Sequence, residues 1–174
     1  MNYASIKPCD IANGPGVRVT LFVSGCTHHC KGCFQPETWD FSYGSPFTEA
    51  VREEVLRLLA PDYIRGLTLL GGEPFEPANQ AGLLPLLREV RIRYPSKTVW
   101  AFSGYTLEQI RSGTLGPPSV TEEILSCVDV LVDGPFVESL KNLQLRFRGS
   151  SNQRLIDLRQ TLAAGTVVLW DDGR

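Results

Sequence analysis

Short runs of β-branched and aromatic residues recur along this chain, closed by Gly- or Cys-bearing turns and mostly followed by apolar residues at helical spacing. That alternation limits the fold more than any other feature, because strands separated by helices favour parallel pairing in one sheet. The turn signal Gly14-Pro15-Gly16 precedes the first such run, 17–23. Thr48-Glu49 then opens a helix with Val51, Val55, Leu58 and Leu59 on one face, stopped by Pro61. A buried strand at 67–70 runs into Gly71-Gly72-Glu73-Pro74. Leu83, Leu84, Leu87 and Val90 mark a second helix, with Pro85 expected in its first turns, where a missing N–H is tolerated. The cycle repeats with a strand at 98–102, a turn at Ser103-Gly104 and a short helix from Thr106. Another strand is expected at 128–132, closed by Asp133-Gly134-Pro135, and a last one at 166–170.

At 174 residues the chain is too short for a full eight-unit barrel, which typically needs about 250 residues. The expectation is an α/β protein, an open partial (βα) barrel with a mostly parallel sheet. Residues 1–174 form a single domain, with the functional loops at the C-terminal ends of the strands. Apolar residues make up 43% and charged residues 21%, which sets aside the disordered, collagenous and membrane classes. A net charge of -2 without blocks of like charge disfavours nucleic acid and anionic membranes as partners. No stretch reads as a signal peptide or membrane span, so the expected location is cytoplasmic.

Three of the five cysteines fall within the eight residues Cys26-Thr27-His28-His29-Cys30-Lys31-Gly32-Cys33, followed by Phe34. An odd count clustered in this way suits metal binding better than a disulfide framework. Thiolates are soft ligands for iron-sulfur clusters, zinc or Cu(I). Zinc would need a fourth ligand, which His28 or His29 could supply, but zinc sites usually join two separated hooks rather than one loop. A 4Fe-4S cube held by three thiolates leaves its fourth iron free to bind something else. The alternative is a non-catalytic zinc-binding interaction module. Cys9 and Cys127 stand apart and read as small buried hydrophobes.

The spacing Cys26-x3-Cys30-x2-Cys33-Phe34 resembles the signature of the radical S-adenosylmethionine enzymes. Asn13-Gly14-Pro15-Gly16-Val17-Arg18, Ser24-Gly25-Cys26 and Pro36-Glu37-Thr38-Trp39 are similar to the glycyl-radical-enzyme activases. Val132-Asp133-Gly134-Pro135-Phe136 and Arg148-Gly149-Ser150-Ser151-Asn152-Gln153 narrow the resemblance to activases of anaerobic ribonucleoside-triphosphate reductase. Activases of the pyruvate formate-lyase type are the alternative, though they are typically longer or carry a ferredoxin-like insert. The resemblance implies three irons on Cys26, Cys30 and Cys33, with the fourth chelated by S-adenosylmethionine. A reduced cluster then cleaves that cofactor, and the resulting radical takes a hydrogen atom from a glycine of the partner enzyme. It also implies a flavodoxin-type electron donor. Glu73 would accept from the cofactor's ammonium, with Gly72 beside it. Gly32, Cys33 and Phe34 would meet the adenine, and Ser103 would make a further contact. Apart from the resemblance, Arg18 reads as a surface or structural ion pair, and Trp39, Phe41 and Tyr43 as core cover or partner contacts. Arg146, Arg148 and Arg154 read as a solvated face, with partner or phosphate contact as the alternative. The segment beyond about Leu158 extends past the end expected for such activases and is read as an added edge strand.

Overall fold

The computed structural model describes residues 1–171. Seven strands, β1 Asn2–Asp10, β2 Val17–Val23, β3 Ser45–Pro46, β4 Ile64–Gly71, β5 Thr98–Phe102, β6 Val130–Asp133 and β7 Arg154–Asp157, form one sheet in the order β3-β1-β2-β4-β5-β6-β7. β2, β4, β5 and β6 run parallel to one another. β1 is antiparallel to β2, β3 to β1 and β7 to β6. The α/β class holds, but the sheet is parallel only in its middle. The expected first strand is the second, because β1 precedes it.

The crossovers carry helices α1 Glu49–Leu58, α2 Pro77–Arg93, α3 Leu107–Ile110 and α4 Pro118–Cys127, and α5 Leu158–Ala164 follows β7. Thr48 caps α1 by accepting from the Val51 N–H, and Thr106 and Gln109 form a reciprocal capping box on α3. The core of α1 is Val55, Leu56 and Leu59, all fully buried, whereas Val51 and Leu58 are only half-buried. Burying each such side chain contributes roughly 1.5–3 kcal/mol. Pro85 lies in the middle of the 17-residue α2 rather than in its first turns, because the helix already begins at Pro77. Its missing N–H forfeits one helical bond. α4 is absent from the sequence expectation, and Pro117-Pro118 opens it.

Strand alternation divides the side chains between two faces. Val19, Leu21, Val23, Leu67, Leu69 and Val99 pack with the helices. On the opposite face Trp100, Val130 and Val132 form a second cluster with Phe102, Phe147, Leu155 and Trp170. Arg18 points to this inner face and is fully buried, which rules out the surface alternative of its reading and leaves the structural one. Its guanidinium donates to the hydroxyls of Thr68 and Thr98 and to the carbonyls of Leu67 and Thr98, at 2.8–2.9 Å. Burial pulls its pKa down to about 10, against the opposing charges of Asp129 and Asp10. Cys9, expected to be buried, is exposed on β1, while Cys127 is buried as expected. The residues 166–170 form no regular strand; a single bridge joins Leu169 to Ile156.

Candidate active site

Parallel register brings the C-terminal ends of β2, β4 and β5 side by side, with Val23 opposite Gly71 and Leu69 opposite Ala101. The cysteine loop leaves β2, Gly72-Glu73 leaves β4, and Ser103-Gly104 leaves β5. The three loops meet at one cavity of about 640 Å³, whose wall includes Cys26, Cys30, Cys33, Phe34, Gly72, Glu73 and Ser103. Residues from three loops, up to 77 positions apart in sequence, thus share one surface. Gly32 is not part of that wall; it is exposed, and a Cβ there would meet Glu138 Oε1 at 2.9 Å.

Glu73 ties these loops together. Its carboxylate is 1% exposed. Oε1 accepts from the Phe75 N–H and the Ser103 hydroxyl, both at 2.9 Å. Oε2 accepts from the Gly104 N–H at 2.8 Å and is paired with His28 Nε2 at 2.9 Å. A carboxylate has about four lone-pair directions, so these partners fill it. Gly72 makes the approach possible: a Cβ there would lie 2.5 Å from the Gly25 carbonyl oxygen and 2.9 Å from that of Thr38. The glycine is therefore required by the close backbone of Gly25 and Thr38, whatever else the site holds. Gly104 is constrained likewise, since a Cβ would sit 2.6 Å from the His28 ring.

His28 is half-buried and its pKa is raised, because the hydrogen bond and charge of Glu73 outweigh the desolvation that pulls it down. His29 remains exposed, stacked on Trp39 at 4.6 Å between centroids. Each ring already has a partner within the protein, His28 with Glu73 and His29 with Trp39. Among the described residues no group of three or more His, Cys, Asp or Glu side chains is arranged to hold a single metal ion. Cys26 is buried, and burial, reinforced by the charges of Glu73 and Glu76, pushes its thiol up to about 11. Burial raises Cys30 as well. These thiols keep their protons until a metal displaces them. Three soft donors on separate positions of one cavity wall suit a multi-iron cluster better than one compact ion.

The far side of the cavity was not foreseen from the sequence. Asn13, Phe136, Asn142, Leu145, Phe147 and Arg148 complete its wall. Gln153 organises this side, accepting from the Gly149 and Ser150 N–H groups and donating to the Gly134 carbonyl. The segments ending in Phe136 and Gln153 carried the resemblance, but their meeting depends on the antiparallel return through β7. Arg154, read as part of a solvated basic face, is bonded to buried Asp133 and to Glu108, which raises its pKa. Phe34 is 63% exposed, with its ring 5.2 Å from Phe136. Phe41 and Tyr43 are exposed.

Comparison with known proteins matches residues 12–156 to a family model described as a 4Fe-4S single cluster domain. An anaerobic ribonucleoside-triphosphate reductase-activating protein of Pasteurella multocida is 44% identical over 155 residues, covering 88% of this chain and 95% of that protein. The protein of the same description from Escherichia coli K12 is 40% identical over 161 residues, covering 91% and 100%. That of Enterobacteria phage T4 is 43% identical over 155 residues, covering 89% and 93%.

Proposed function

The chain belongs to the family of anaerobic ribonucleoside-triphosphate reductase-activating proteins, and on that premise we propose that it installs a glycyl radical on such a reductase, using S-adenosylmethionine and a 4Fe-4S cluster. The observation that carries this reading is the convergence of Cys26, Cys30 and Cys33 with Gly72, Glu73 and Ser103 on one cavity. The sheet is read as an open partial (βα) barrel, with its strand ends as the site. Held by Cys26, Cys30 and Cys33, the cluster would supply the electron for reductive cleavage of S-adenosylmethionine, the chemistry by which a hydrogen atom would be taken from the partner's glycine.

The chain's own residues hold, orient and shield. The donor set fits the cluster: Cys26, Cys30 and Cys33 would ligate three irons and leave the fourth to the cofactor. Glu73 fixes the loops after β2, β4 and β5 to one another, so the cofactor's two ends meet a pre-arranged wall. For Glu73 to take the cofactor's ammonium, one present donor must yield. His28 and Ser103, the two side chains among those donors, both lie on the cavity wall. Phe34 and Phe136 offer apolar faces to the adenine. A flavodoxin-type donor supplies the electron, and the setting is cytoplasmic; no helix among the described residues is long and apolar enough to cross a membrane.

The test is anaerobic reconstitution with iron and sulfide, followed by electron paramagnetic resonance of the reduced protein. The expected result is a cluster signal that changes on adding S-adenosylmethionine, then a glycyl doublet on adding the reductase. A cluster signal indifferent to the cofactor would sink the proposal.

A further inference from the structure

The segment after α5 lies outside residues 12–156, the span of the family model. It turns at Gly165 and runs along the outer edge of β7. The Asp157 N–H donates to the Val168 carbonyl, the Val168 N–H to Thr161 Oγ1, and the Trp170 N–H to the Leu155 carbonyl, at 2.8–2.9 Å. These bonds deliver the Trp170 ring to the sheet face opposite the helices. There its centroid lies 4.9 Å from Trp100 and 6.2 Å from Phe147, while Trp100 and Phe147 are 5.4 Å apart, all three pairs edge-on. Trp100 is a fixed member of β5, 1% exposed.

Phe147 is different, because it belongs to the loop 141–149 that forms the far wall of the cavity. The loop closes at its base through the Lys141–Ser150 bridge. Its tip carries Leu143, 86% exposed, so little core packing restrains it. Phe147 has φ 56°, a left-handed conformation that a non-glycine side chain keeps only where its surroundings dictate it. The aromatic trio supplies those surroundings, and one of its three rings comes from the C-terminal segment.

We propose that the segment Thr166–Trp170 braces the loop 141–149, with Trp170 as a positioning residue that fixes the cavity wall facing the protein partner. The consequence for the partner rests on the function proposed above; the brace itself does not. Trp170 does not line the cavity, so its influence passes through Phe147. Removing its ring deletes two of the three edge-on contacts.

The test uses full-length, reconstituted protein with Trp170→Ala and Trp170→Phe, the second retaining an aromatic ring should the first lose its fold. Hydrogen exchange across residues 141–149 reads the brace without reference to activity. Exchange there should quicken on the order of tenfold in Trp170→Ala, with protection largely restored in Trp170→Phe. Cleavage of S-adenosylmethionine without reductase should stay at the parent rate, while the KM for the reductase rises on the order of tenfold. Unchanged exchange in the loop overturns the brace whatever the kinetics. Faster exchange with an unaltered KM overturns its role in partner presentation. If the parent protein generates no glycyl radical, the proposed function falls, and exchange still decides the brace.

Discussion

Replacing Glu73 by glutamine changes one atom, yet the geometry dictates a definite loss of stability even without any cofactor. Each carboxylate oxygen serves one backbone N–H and one side chain: Oε1 takes Phe75 N–H and the Ser103 hydroxyl, Oε2 takes Gly104 N–H and His28. The amide nitrogen of glutamine cannot accept a hydrogen bond. Placed at the Oε1 position it faces Phe75 N–H, and placed at the Oε2 position it faces Gly104 N–H. Ser103 can rotate its hydroxyl and His28 can change tautomer, but a backbone N–H has no such freedom. One amide is therefore left unpaired in either orientation, at a cost of about 1–3 kcal/mol. The surviving hydrogen bonds also lose their charge assistance, so the expected total is about 2–4 kcal/mol. The assay is urea unfolding of reduced, metal-free protein at 25 °C, comparing midpoints at constant m-value. A loss below about 0.5 kcal/mol, the range of an ordinary surface substitution, would refute the reasoning and leave Glu73 as a ligand-binding group without a structural duty.

Other expectations follow from equally local geometry. Cys30 is half-buried, so Cys30→Ala should shift the metal-free unfolding midpoint little while lowering bound iron and abolishing the glycyl radical; full iron loading would contradict its role as a ligand. Gly72→Ala places a methyl 2.5 Å from the Gly25 carbonyl oxygen and should cost about 1–3 kcal/mol in the same unfolding assay, an unchanged midpoint counting against the close approach. Asp10 has its pKa lowered below 3.8: burial raises it, but hydrogen bonds from Ala12, Asn13 and Thr20 and the charge of Lys7 outweigh that. A depressed carboxylate stabilises the fold above its unfolded pKa, and the benefit fades as pH falls through the folded value. The stability gap between the parent and Asp10→Asn should thus be full at pH 6 and shrink below pH 3.8; denaturant midpoints at pH 6 and pH 3 check it, and a gap independent of pH would be contrary.

The parallel middle of the sheet and the cysteine loop were legible because their signals are local. β2, α1, β5 and the Thr106 cap announce themselves by periodicity and capping residues within a few positions. β1 escaped notice because Tyr3-Ala4-Ser5-Ile6-Lys7-Pro8-Cys9 alternates poorly, and its pairing with β2 is irregular at two places. β7 is only four residues long and has charged ends, so it resembles a loop. Arg18 shows a deeper limit: alternation correctly assigns Arg18 and Thr20 to the polar face of β2, but it does not distinguish a face in water from one lining the interior. The residue types of the site could be read from the chain, but the four-way saturation of Glu73 depends on partners 2 to 45 residues away meeting at one point.

The sheet's two margins differ in how they meet an approaching strand. At one margin stands β3, only two residues long and ending in Pro46, which has no N–H to offer. At the other, the N–H of Asp157 and the carbonyl of Leu155 on β7 are already taken by Val168 and Trp170. β3 covers only Asn2 and Tyr3 of β1, so the outer edge of the rest of that strand is interrupted by Pro8, which has no N–H, rather than covered. The two margins thus resist an added strand by different means, β7 through backbone groups already bonded and β1 through a proline in its open edge.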